Sequence, residues 1–186
     1  MNINDSLFYF INHNFQNPIF DTVMPFITHL GGFRGMIIII LVILIYAKLK
    51  NKINLFKITL FALLALLFSD LITLIVKIYV NKPRPYTVLN NVRLLVSPDD
   101  FSSFPSGHST STLSVITIFI IHIKKLTEKY NKVIQVFLII FVMMIVFSRV
   151  YVGVHYPFDV LAGAIIGFTG ALFINKLNEV SGFIKI

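Results

Sequence analysis

The sequence predicts an all-α fold, a polytopic bundle of transmembrane helices forming a single domain over residues 1–186. Three observations lead there. The chain is 56% hydrophobic, with mean hydropathy +0.85 and only 13% charged residues, where a soluble domain carries about 25%. Several apolar runs approach the roughly 20 residues that cross a bilayer. The lysines gather between those runs, as the positive-inside rule expects of membrane helices joined by short loops. The net charge of +8 therefore speaks for orientation in a membrane and against a nucleic-acid partner. Cysteine is absent, which excludes disulfides, thiolate catalysis and Cys-ligated metals.

Residues 1–30 are apolar but interrupted by Asn12, His13, Asn14, Asn17, Pro18, Asp21 and Pro25. They predict amphipathic helices at the membrane surface or a weak sixth span, and they lack the basic stretch and small-residue cleavage site of a signal peptide. Five strong spans follow, at 33–47, 55–80, 109–123, 133–147 and 158–174. The second must end before Lys82-Pro83-Arg84-Pro85, because the residue preceding a proline is pushed away from helical angles. The connection 81–105 contains four of the seven prolines and the polar run SPDDFSS. Loops of that length without structure of their own are usually functional, so a rim or lid over the spans is expected. In the last span Gly163, Gly167 and Gly170 have the spacing that lets helices approach closely in lipid. They are read as packing within one chain, and the sequence leaves the oligomeric state open.

Charge sets the expected orientation. Lys48, Lys50, Lys52 and Lys57 lie in one connection, Lys124, Lys125, Lys129 and Lys132 in another two spans later, and Lys176 and Lys185 in the tail. With five spans these three segments share a side, which should be cytoplasmic. Arg34, Lys77, Lys82, Arg84, Arg93 and Arg149 then mark the extracytoplasmic face.

Three separated stretches bring chemically capable residues to that face: KIYVNKPRP from Lys77, PSGH from Pro105, and SRVYVGVHYPFD from Ser148. Lys77, Arg84 and Arg149 supply three cations suited to phosphate, the arginines with planar bidentate geometry. Ser106 and the backbone amides around Gly107 can complete an oxyanion cradle, at the positive end of a helix beginning near His108. Asp159 follows His155 by four residues, one helical turn, and can fix the tautomer of the imidazole. His155 is thereby the candidate nucleophile. His108 is left as the acid that protonates the leaving group and the base that activates water. Singly, a histidine at a span end is an ordinary interfacial residue, Arg-Pro a helix stop, and Ser148-Arg149 a snorkelling cation. Two histidines, an aspartate and three cations on one face exceed those explanations together.

The same stretches resemble the three signature motifs of the type 2 phosphatidic acid phosphatase superfamily. Lys77 followed after six residues by Arg84-Pro85 fits the first, Pro105-Ser106-Gly107-His108 the second, and Ser148-Arg149 with His155 and Asp159 the third. The resemblance covers 77–159 and implies a metal-independent phosphatase without cofactors, acting on a phosphorylated membrane lipid within the bilayer. It implies a phosphohistidine at His155, His108 as general acid, Asp159 as partner of His155, and Lys77, Arg84, Ser106, Gly107 and Arg149 as phosphate ligands. Family members usually have six spans. Among family substrates a polyprenyl diphosphate such as undecaprenyl diphosphate is favoured, with phosphatidylglycerophosphate, phosphatidic acid and lipid A phosphate as alternatives. Phosphoryl transfer to another acceptor is a second enzymatic outcome. An anion or lipid transporter is a non-enzymatic one, opposed by the His108, His155 and Asp159 arrangement.

Asp70 sits in the second span, seven residues before Lys77. It either holds Lys77 or is satisfied by a hydroxyl of a neighbouring helix. Asp99, Asp100, Lys82, Arg93 and Tyr151 are expected as solvated or interfacial residues, and so are His13 and His29.

Overall fold

A computed structural model describes residues 2–98 and 101–181, and all of their regular structure is helical. Asp99, Asp100 and Lys185 lie outside the described residues. Two asparagines of the N-terminal region, Asn2 and Asn17, start helices, while Asn12 and Asn14 lie within the first of them. Asn2 accepts from the Asp5 amide at 2.9 Å and opens α1 (Ile3–Asn14). Asn17 does the same for Phe20 at 2.9 Å and opens α2 (Pro18–Gly31), with Pro18 in the first turn where its missing N–H costs nothing. After Gly32 the chain bends by 67° into α3 (Phe33–Leu49). Then come α4 (Ile53–Val80), the single turn α5 (Pro85–Val88), and α6 (Gly107–His122), prolonged by a 3₁₀ turn at Ile123–Lys125. The last two are α7 (Asn131–Tyr151) and α8 (Pro157–Ser181).

Among the described residues three helical stretches are long and apolar enough to cross a membrane: Ile53–Val88, Asn131–Tyr151 and Pro157–Val180. The bent pair Pro18–Gly31 and Phe33–Leu49 makes a fourth if counted as one span. Two of the five expected spans, those of α3 and α6, are thus not among the helices long enough to cross on their own. α3 has 17 residues and α6 has 16, about 24–26 Å at 1.5 Å per residue. The first half of α6 is polar: Ser109, Thr110, Ser111, Thr112 and Ser114 are all buried.

Those hydroxyls make α6 the hub. Thr73 of α4 donates to Thr110 at 2.9 Å, and Thr110 lies 3.1 Å from the Gly163 carbonyl of α8. Thr112 donates to the Gly31 carbonyl of α2 at 3.0 Å. Within a bilayer such bonds and close packing hold helices together, because lipid is as apolar as leucine. The glycine stripe of α8 serves that packing. A Cβ on Gly163 would collide with the Ser106 carbonyl, and one on Gly167 with the Thr110 carbonyl. An apolar core of Ile40, Ile58, Phe61, Ala65, Leu66, Val115, Ile118 and Ala171 joins α3, α4, α6 and α8.

At the end where α4 and α7 finish, the loop after α5 is pinned as the expected rim. Buried Asn12 donates to the carbonyls of Arg93 and Tyr151, both at 2.9 Å, and accepts from the Arg93 amide. Asp21 accepts from the Arg93 guanidinium and from the Tyr151 hydroxyl. Hydrogen bonding to Asp21 raises the Arg93 pKa further. Arg93 and Tyr151, expected as solvated or interfacial, are therefore structural, and Tyr151 is fully buried.

Candidate active site

Each candidate side chain stands at a helix end for a local reason. α4 stops at Asn81, which takes the left-handed conformation (φ 41°) and donates to the Lys77 carbonyl at 2.9 Å. That places Lys77 in the last turn and Arg84 just beyond the Lys82-Pro83 step. α6 starts because the Ser106 hydroxyl accepts from Ser109, amide at 3.4 Å and hydroxyl at 3.1 Å. Arg149 lies in the last turn of α7. A turn at Gly153, with φ 86°, then delivers His155, and Asp159 sits in the first turn of α8. The Ser106 amide donates to the Asp159 carbonyl at 2.9 Å and locks the starts of α6 and α8 together.

Lys77, Arg84, Ser106, Arg149, His155 and Asp159 are all buried. Lys77 donates to the Ser102 carbonyl at 2.6 Å, Arg84 to the Val154 carbonyl at 2.8 Å, and Arg149 to the Thr28 hydroxyl at 2.6 Å. Three cations withdrawn from water carry a desolvation cost that an anion between them would offset. Arg84 also lies 3.4 Å from His155 Nε2. His155 Nδ1 is 2.7 Å from the Ser103 carbonyl. A carbonyl only accepts, so Nδ1 carries the proton and Nε2 keeps its lone pair towards Arg84. Burial pushes the His155 pKa down to about 3; the Asp159 carboxylate opposes this, while Arg149, Arg84 and Lys77 add to it. At neutral pH the imidazole is an uncharged base whose unprotonated Nε2 faces Arg84.

Asp159 is placed differently from the expectation. His155 lies outside α8, and its Nδ1 is 3.8 Å from the nearest Asp159 oxygen. The direct acceptor is Ser103, whose hydroxyl in turn donates to Asp159 at 2.5 Å. The carboxylate also accepts from the Tyr156 amide at 3.0 Å and from Lys82 at 2.7 Å. Lys82, expected as a solvated loop residue, is thus the ion-pair partner of Asp159, with its ammonium 4.1 Å from the Tyr156 ring centroid. Neither Lys82, Ser103 nor Thr28 stood out in the sequence.

His108, in the first turn of α6, takes the other side. With Gly107 and Lys77 it lines a cavity of about 1000 Å³ running between α2, α3, α4 and α6. Its ring packs on Gly32, where an added Cβ would come within 2.8 Å of Nε2. Asp70 lines the same cavity and lies 2.8 Å from the Ser111 hydroxyl, the neighbouring-helix alternative for that residue. Among the described residues no cluster of three His, Asp or Glu side chains is arranged to hold a metal.

Residues 58–182 match the model of the PAP2 superfamily. The chain belongs to that superfamily. It is 28% identical over 172 residues to undecaprenyl-diphosphatase BcrC of Bacillus subtilis (strain 168), covering 92% of this chain and 82% of the relative. It is 30% identical over 173 residues to phosphatidylglycerophosphatase B of the same organism, covering 88% and 78%. Its fold matches the crystal structure of the first transmembrane PAP2-type phosphatidylglycerolphosphate phosphatase from Bacillus subtilis. The TM-score is 0.79 at 26% identity, over 97% of this chain and 89% of that one. With that membership the chain is an enzyme of the phosphatase class, set in a membrane.

Proposed function

We propose that this chain hydrolyses the phosphate or diphosphate of a membrane lipid through a phosphohistidine at His155. The observation that carries the reading is the neutral His155 Nε2 facing Arg84 among three buried cations. A phosphate drawn in by Lys77, Arg84 and Arg149, with Ser106 and the Gly107 amide completing the cradle, meets that nitrogen in line. The N–P bond forms as the P–O bond to the leaving group breaks. His108 gives its proton to the departing oxygen, then takes one from a water that cleaves the N–P bond and releases phosphate. The cations carry the charge that a metal carries in other phosphoryl transfers. Asp159 acts through Ser103 to hold His155 in its tautomer.

The substrate favoured is a polyprenyl diphosphate. The apolar cavity next to His108 suits a lipid tail, and the relative BcrC is named an undecaprenyl-diphosphatase. α3 and α6 complete five spans with the help of the ordered turns at their ends. The lysine-rich loops face the cytoplasm and the site faces outward. The test is phosphate release by the purified protein in detergent with EDTA, on undecaprenyl diphosphate, phosphatidylglycerophosphate, phosphatidic acid and a lipid A phosphate. Release that survives EDTA and disappears in His155→Ala is the expected result, fastest on the diphosphate. Absence of release from all four, with lipid still bound, would overturn it.

A further inference from the structure

The cavity beside His108 carries polar groups that the hydrolysis of one phosphate does not use. Its wall is largely apolar, built from side chains such as Phe26, Ile38, Leu67 and Leu71, yet Arg34 and His29 line it too. Both stand on the corner where α2 gives way to α3, on either side of Gly32. Neither makes a hydrogen bond or ion pair with another described residue. His108 touches the same corner through Gly32.

We propose that Arg34, assisted by His29, forms a second anion subsite that holds the lipid-proximal phosphate of a diphosphate substrate and so selects diphosphates over phosphomonoesters. This rests on the catalytic reading above. In that reaction the terminal phosphorus bonds to His155 Nε2 while its bond to the bridging oxygen breaks. The electron pair stays on the bridging oxygen, which takes the proton of His108, and the leaving group is the lipid monophosphate. A leaving group protonated by His108 emerges at the corner that His108 touches, beside His29 and Arg34. A departing phosphate offers the guanidinium two oxygens for paired hydrogen bonds, whereas the alcohol left by a phosphomonoester offers no charge at all. Arg34 is exposed, so the gain is that of a partly solvated pair, about tenfold in rate. The ordinary alternative is an arginine that snorkels to the membrane surface, which would act on all substrates alike.

The experiment compares kcat/KM for a prenyl diphosphate and for the monophosphate of the same prenyl alcohol, with phosphatidic acid as a third substrate. It uses full-length protein in detergent. Arg34→Gln should lower the diphosphate-to-monophosphate ratio about tenfold, and Arg34→Lys, which keeps the charge but loses the paired hydrogen bonds, should restore only part of it. The monophosphate rate of each variant reports that it is folded. A ratio unchanged within about twofold overturns the subsite, whether both rates fall or neither does. So does a wild type that cleaves phosphatidic acid but neither prenyl ester. Failure of the wild type on all three substrates instead overturns the catalytic reading, and the subsite with it.

Discussion

The two histidines stand in opposite surroundings. Around His155 the polar groups are tied to the frame: Nδ1 to Ser103, Arg84 to Val154, Arg149 to Thr28, and Asp159 to Ser103, Lys82 and Tyr156. Around His108 they face open space: His108, His29 and Arg34 line a large cavity and form no hydrogen bonds with described residues. The difference follows from the two tasks. A nucleophile must already point at phosphorus, since misplacement by an ångström is costly. The group that protonates the leaving oxygen meets a part of the substrate that varies, and cannot be fixed before the substrate arrives.

Substitutions can break this contrast. The largest effect is expected on the tied side: His155→Ala should lower phosphate release by at least about 10⁴-fold on every substrate. His108→Ala should cost about 10²- to 10⁴-fold on a phosphomonoester. It should cost less on a diphosphate, whose leaving phosphate needs a proton less than an alkoxide does. Equal losses on both substrates would show that His108 does not serve the leaving group. Next comes Lys82→Ala, expected to reduce kcat about tenfold with KM nearly unchanged, since Lys82 reaches the reaction through Asp159. Lys82→Arg should recover most of that, and a change confined to KM would place Lys82 on the substrate instead. Thr28→Val removes the hydroxyl that Arg149 grips and should raise KM several-fold, the value of one bond to a charged group.

The smallest effect is on stability. His155 is pushed down to about 3 in the folded chain, against an ordinary value of about 6.5 when unfolded. Between these values the unfolded chain binds more protons, so stability rises with pH, by up to about 1.4 kcal/mol per unit from this one group. The contribution is complete above pH ~6.5 and is lost as pH falls towards 3. Thermal unfolding in detergent from pH 4 to 7 should show a shallower pH dependence in His155→Gln than in the wild type. Identical slopes would mean that His155 is solvated.

Much of this was legible in the sequence. The three motifs announced themselves through residues whose types and spacing are constrained by phosphate chemistry, and α4, α7 and α8 through long apolar runs. The bounds of α6, expected at 109–123 and found at Gly107–His122, were legible too; that its hydroxyls bond to α4 and α2 was not, because a hydroxyl in a helix can equally bond back to its own backbone. Lys82, Ser103 and Thr28 were hidden for a different reason. Their partners lie far along the chain: Ser103 and Asp159 are 56 residues apart, Lys82 and Asp159 77, Thr28 and Arg149 121. A lysine before a proline carries no local sign of the carboxylate it will meet. Asn12 gave as little local sign of its role, since it satisfies backbone groups of Arg93 and Tyr151 in two segments far along the chain.

That clamp also governs the order in which the enzyme can be made. Asn4 accepts from the Phe158 amide 154 residues later, and Asn12 donates to Tyr151 139 residues later. Helix α1 therefore meets its partners in two stages, those at Asn90, Asn91 and Arg93 midway along the chain and those at Tyr151 and Phe158 only much later. A chain cut before Ser148 keeps Lys77, Arg84 and His108 but lacks Arg149, His155 and Asp159, and is expected to release no phosphate.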